Sequence, residues 1–198
     1  MKKNTKETRQ HILDTGYRLI VSKGFSSVGL TEILQSAGVP KGSFYYYFKS
    51  KEQFGEEIIK NYFSEYLVAL EHIFQPQGSS AYSRLLEYWQ RWIETQSDSC
   101  VDHKCLVVKL SAEVADLSEP MRLALLSGSS LVVKRIAQCI EAGIDDGSIV
   151  KVDAAVTAEL LYNMWLGATL MGKLQRNADG LQRAMQITVS ILTSNTVE

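Results

Sequence analysis

Apolar residues recur along this chain at steps of three and four, the period of one helix face, and no strand-like alternation competes with them. Ile12, Leu13, Gly16, Tyr17 and Ile20 predict an amphipathic helix over about 6–23, closed by Gly24 in a left-handed cap. Thr31 is expected to cap a short helix running to Ala37, with Ile33, Leu34 and Ala37 inward. Gly38-Val39-Pro40 ends it, because glycine permits the turn and proline disfavours helix at the residue before it. A second short helix follows over 41–47, with Phe44 and Phe48 inward. Ser50 then caps a long helix in which Phe54, Ile58, Tyr62, Tyr66, Leu70 and Phe74 step by four. Pro76-Gln77-Gly78-Ser79 is a loop.

The remaining helices read as about 80–97, a run opening at Cys105, one from Ser118 to about Gly143, one capped by Asp153 and running to Lys173, and a last containing Leu181, Met185 and Leu192. Segment 97–104, with Cys100 and His103, is a polar connection. The expectation is an all-α fold of about nine helices without internal repeats.

Charge adds what the pattern cannot. The net charge of −1 conceals a split: residues 1–51 carry nine Lys/Arg against three Asp/Glu, and residues 52–198 carry twelve against nineteen. A basic first quarter on an acidic body is the footprint of a protein that meets a polyanion at one end. No apolar run approaches the ~20 residues of a membrane-spanning helix. The opening MKKNTKETRQ leads into a polar amphipathic pattern, not a signal-peptide core, so a cytoplasmic location is expected.

That polyanion points attention to 30–51, LTEILQSAGVPKGSFYYYFKSK. Two helices joined by a tight turn are a packing solution common to many all-α proteins. Here the second helix opens Lys41-Gly42-Ser43, so its backbone can approach a surface closely, and then presents Tyr45, Tyr46 and Tyr47. Lys41 suits the O6/N7 edge of guanine, and Ser43 can donate or accept. The tyrosine hydroxyls, Lys49, Lys51 and the first amides of the preceding helix near Thr31 suit phosphate oxygens. The unit therefore reads as a helix placed in the major groove of double-stranded DNA.

Residues 29–54, GLTEILQSAGVPKGSFYYYFKSKEQF, resemble the signature of the TetR family of bacterial transcriptional regulators. Thr31, Ala37-Gly38-Val39, Lys41-Gly42, Tyr45, Phe48 and Lys51 carry the resemblance. It implies a homodimer, with a helix-turn-helix DNA-binding domain over 1–50 and a helical sensor and dimerisation domain over 51–198. It also implies a repressor that leaves its operator when the sensor is occupied or modified. Family dimers form through the last two helices, which assigns the interface to Leu161, Trp165, Ala168, Gly172, Leu181, Met185, Thr188 and Leu192.

The signal sensed divides two ways. Trp89, Trp92, Met121, Met164 and Trp165 could line a pocket for a reversible apolar or aromatic ligand, or could simply be core. Cys105 follows His103 and Lys104 at a helix start, where cations and helix dipole favour thiolate, and a buried inert thiol is the alternative. Segments CLVVKLSAEVADLSEPMR and LYNMWLGATLMGKLQR resemble a branch of the family that senses reactive electrophiles and oxidants. That resemblance makes Cys105 the sensing cysteine and Lys173 its partner. A further cysteine it implies is absent, position 115 being Ala.

Enzyme chemistry finds no support: there is no phosphate-binding glycine loop, paired-histidine helix motif or nucleophile elbow. Cys100, His103 and Cys105 lack a fourth ligand for a metal, and no metal or cofactor is expected. Three cysteines do not build a disulfide framework.

Overall fold

The computed structural model describes residues 5–76, 78–97 and 105–194. Among them are nine helices and no strand: α1 (Thr5–Lys23), α2 (Leu30–Ala37), α3 (Lys41–Tyr47), α4 (Lys51–Phe74), α5 (Ala81–Ser97), α6 (Leu106–Leu117), α7 (Glu119–Asp145), α8 (Ala154–Gln175) and α9 (Asp179–Thr193). The periodicity thus located each helix to within a turn. Three caps follow from local chemistry. Gly24 lies at φ +91° after α1, Ser50 Oγ accepts from the Gln53 amide at 3.1 Å, and Asp153 Oδ1 accepts from Val156 at 3.0 Å. Thr31 is corrected: α2 begins one residue before it, its N-cap is Gly29, and no side chain caps its first turn.

Packing divides the chain into two compact units, Met1–Ser64 with Cys100–Gly128, and Glu65–Ser99 with Ser129–Glu198. In the first, Ile12, Ile20, Phe25, Ile33, Phe44, Phe48 and Phe54 are buried within α1 to α4. The Phe44, Phe48 and Phe54 rings interlock at centroid distances of 4.9–5.2 Å. Gly55 makes a close approach possible, because a Cβ there would fall 2.6 Å from the Phe25 ring and 2.7 Å from Met121 Cε.

The second unit is built on an aromatic core. Trp89 and Trp165 stack at 4.5 Å and 12°, and Trp92 stands 5.7 Å from Trp89. α9 packs on both α8 and α5. The apolar-run reading needs one amendment: α7 is long and apolar enough to cross a membrane by length and composition. Its Met121, Leu125, Val132, Ile136 and Ile140 are nonetheless buried as core side chains.

Candidate functional site

Helix α3 is two turns long, and its inward residues explain its outward ones. Phe44 is fully buried, which turns Lys41, Gly42, Tyr45 and Tyr46 outward and leaves Ser43 and Tyr47 half-buried. Tyr46 is 74% exposed and Tyr45 50%, unusual for large rings unless something covers them. Lys41 Nζ lies 5.9 Å from the Tyr45 ring, and the Tyr46 and Tyr47 rings meet edge-on at 4.9 Å. Gly42 answers no internal steric demand, since a Cβ there would meet nothing within 4 Å. Thr31 is exposed in the uncapped first turn of α2, and Lys49 is exposed after α3. This surface offers cations and hydroxyls to an anionic partner.

Lys51 does not join them. Its Nζ donates to the Phe25 carbonyl at 2.8 Å and lies 4.4 Å from the Phe25 ring centroid. Partial burial pushes its pKa down against the opposing pull of Glu52 and Glu113. In the DNA-free chain the loop before α2 thus holds the ammonium that was expected to meet phosphate.

Helix α6 carries the second element of the site. Cys105 is its N-cap residue, and the Cys105 carbonyl accepts the first helical hydrogen bond, from Lys109 at 3.2 Å. The thiol is buried, with the residue 5% exposed. Lys109 and Glu113 continue from it at four-residue steps, which places the three on one stripe. Lys109 Nζ reaches the Ser22 carbonyl at 3.4 Å. Glu113 accepts from the backbone amides of Phe25 at 2.9 Å and Ser26 at 2.5 Å. Desolvation pushes the Glu113 pKa up, but hydrogen bonds from Ser26 and Phe25, with the Lys109 charge, outweigh it and hold the carboxyl below its ordinary range.

Sequence reasoning missed Glu113. Its partners are 87 and 88 residues away, and only Gly24, a left-handed glycine followed by two amides, hinted at an anion seat. Cys100, His103 and Lys104, which completed the metal and thiolate arguments, lie outside the described residues. Among the described residues no group of three metal-ligating side chains occurs.

In the second unit the aromatic residues expected to line a pocket are packed. Trp89 and Trp165 are fully buried and Trp92 nearly so. Trp165 Nε1 donates to Thr188 Oγ1 at 3.0 Å and Trp92 Nε1 to Thr169 Oγ1 at 2.9 Å, while Trp89 Nε1 has no partner. Met164 is half-buried. Met121 belongs to the first unit, where its buried side chain is taken up against Gly55. Lys173 is exposed in the last turn of α8.

The residues expected at the dimer face are divided between the interior of the chain and its surface. Leu161, Trp165, Leu181, Thr188 and Leu192 are buried inside the single chain, and Ala168, Gly172 and Met185 are half-buried. The Trp165–Thr188 bond and the α8–α9 packing account for the buried ones. The outward side of α8 is also apolar: Val156, Leu160, Leu170 and Leu174 are 49–70% exposed.

Comparison with known proteins adds sequence and structural relatives. Residues 12–58 match the model for bacterial regulatory proteins of the tetR family, and residues 81–188 match the tetracyclin repressor-like C-terminal domain. The HTH-type transcriptional repressor NemR of Escherichia coli is 37% identical over 199 residues, covering 100% of both chains. The HTH-type transcriptional repressor DhaR of a Mycobacterium strain is 32% identical over 95% of this chain and 93% of its own. The crystal structure of E. coli NemR in its reduced form superimposes with a TM-score of 0.90 at 38% identity, covering 96% of this chain and 100% of that one.

Proposed function

This chain belongs to the TetR family of bacterial regulatory proteins, and we propose that it is a cytoplasmic, dimeric transcriptional repressor released from its operator when electrophiles or oxidants modify Cys105. The observation that carries the DNA-binding part is the outward face of α3. Two exposed tyrosines, Lys41 and a sterically unconstrained Gly42 sit over the buried Phe44–Phe48–Phe54 cluster. Lys41 and Ser43 read base edges, while Thr31, Tyr45, Tyr46, Tyr47 and Lys49 hold phosphates. Helix α3 is too short to specify a site alone, so two copies read half-sites about 34–36 Å apart or a multiple of that.

The dimer forms through the outward side of α8. Val156, Leu160, Asn163, Gly167, Leu170 and Leu174 step by four and three, the spacing of a helix–helix seam, with Gly167 allowing close approach. Ile187 on α9 is also exposed and extends the apolar surface.

Cys105 is the switch in this reading. It starts α6, the helix whose Lys109 and Glu113 bind the C-terminal end of α1 and the loop that follows. The Cys105 sulfur would bond to one alkene carbon of N-ethylmaleimide while the other carbon takes a proton, and the added bulk cannot remain at a 5% exposed position without moving the start of α6. The full-length similarity to NemR, crystallised in a form described as reduced, supports a redox-responsive thiol.

The test is operator release. Sequences selected from random DNA by the wild-type chain supply the operator, and N-ethylmaleimide or hypochlorite is then added to wild type and Cys105→Ser. Release from wild type and retention by Cys105→Ser is expected. Equal release from both would remove Cys105 as the sensor.

A further inference from the structure

The loop between α1 and α2 contains a backbone anion seat that is already occupied. Gly24 lies in the left-handed region at φ +91°, which turns the amides of Phe25 and Ser26 toward one point. Successive amides arranged in this way form a concavity that binds anions. The Glu113 carboxylate fills it, one oxygen on each amide, at 2.9 and 2.5 Å, and the Ser26 side chain adds a third hydrogen bond. A Cβ on Gly24 would stand 3.1 Å from Glu113 Oε2, so the seat is closely fitted to its occupant.

The position of this contact matters more than its strength. The loop that Glu113 holds leads directly into α2 and hence α3, and Glu113 lies eight residues along α6 from Cys105. Lys109, between them, grips the Ser22 carbonyl at the end of α1. Lys51 holds the other side of the loop through the Phe25 carbonyl. A shift of α6 cannot occur without pulling the carboxylate from its seat or dragging the loop along.

We propose, on the reading that α3 binds operator DNA, that Glu113 is a positioning residue which holds the α1–α3 unit in its operator-competent arrangement. It touches no DNA; it fixes the loop from which α2 and α3 are hung. A carboxylate is required because both of its oxygens must accept. The amide of glutamine would turn a donor toward one of the two N–H groups.

The experiment uses the full-length chain and the operator obtained by selection. Operator affinity is measured for wild type, Glu113→Gln and Asp116→Asn, which removes a charge from the same helix outside the seat. Amide hydrogen exchange is followed at Phe25 and Ser26. The expected result for Glu113→Gln is lost protection at those two amides and operator binding weaker by about tenfold or more, the scale of lost charge-assisted hydrogen bonds. Asp116→Asn should behave as wild type. Operator binding by Glu113→Gln within about twofold of wild type would overturn the proposal, whatever the amides show, as would amides that stay protected. If Glu113→Gln fails to fold, Ser26→Ala takes its place: a fall of about two- to threefold is expected, and unchanged affinity would overturn the proposal. If the wild-type chain selects no DNA, the DNA-binding reading fails and this proposal fails with it; binding by wild type and variant alike sinks this proposal alone.

Discussion

Lys51 and Phe25 are joined twice, by a 2.8 Å hydrogen bond from Nζ to the Phe25 carbonyl and by the ammonium lying 4.4 Å from the Phe25 ring centroid. The lysine at the start of α4, expected to meet phosphate, is tied into the α1–α2 loop. Removing it strands a carbonyl and a cation–π contact, worth together about 1–2 kcal/mol. Lys51→Ala should therefore lower the thermal and denaturant midpoints of the chain. Lys49→Ala should leave both unchanged but lower the salt-dependence slope of operator binding by about 1. Parallel denaturation and salt titrations of the two variants check this, and the reverse pattern would return Lys51 to the DNA surface.

The two lysines illustrate where sequence reading reached its limit. Phe44, Phe48 and Phe54 announce their burial through spacing, and Tyr45 and Tyr46 inherit an outward face by subtraction. Lys51 has no such local signal, because its partner is 26 residues away, with α2 and α3 between them. Glu113 is the same problem at longer range. The faces of α8 pose a different problem. Both sides of that helix are apolar, so periodicity could not say which side the chain keeps for itself, and only the bonds of Trp165 to Thr188 and Trp92 to Thr169 decide it.

That decision separates two substitutions on one helix. Leu160 is 55% exposed and Trp165 is fully buried. Leu160→Glu places a charge in the proposed seam, and sedimentation should report half the wild-type mass with helical content retained. Trp165→Ala empties a core position and breaks the Thr188 bond, so it should cost about 3–5 kcal/mol of stability in chemical denaturation. If Leu160→Glu remains dimeric, the outward α8 seam is wrong.

Cys139 provides a control for Cys105. It lies on α7 with Sγ 3.5 Å from the Ala81 carbonyl, and burial pushes its thiol up to about 11 despite the nearby Arg84. At pH 7 its thiolate fraction is on the order of one in ten thousand, and thiolate is the reactive form. Intact-protein mass after brief N-ethylmaleimide treatment of Cys139→Ala should match that of similarly treated wild type, allowing for the substitution, and operator release should be unchanged. Loss of an adduct or of release in Cys139→Ala would move the sensor to α7.

Acid should loosen the Glu113 seat in a defined direction. Desolvation raises the Glu113 pKa, but the bonds from Ser26 and Phe25 and the Lys109 charge lower it more, and Lys51 on α4 faces the same loop with a favourable charge. Because the folded value lies below the unfolded one, the unfolded chain binds more protons in the interval between them. The stability contributed by this group is therefore complete above the ordinary glutamate value of about 4.3 and is lost as pH falls through the lower, folded value. Wild type should lose stability more steeply than Glu113→Gln over this interval, while above about pH 5.5 their difference should stay constant. Denaturation midpoints measured from pH 3 to pH 7 check the sign, and parallel curves across the whole range would show that the Glu113 carboxylate is held no more tightly in the folded chain than in the unfolded one.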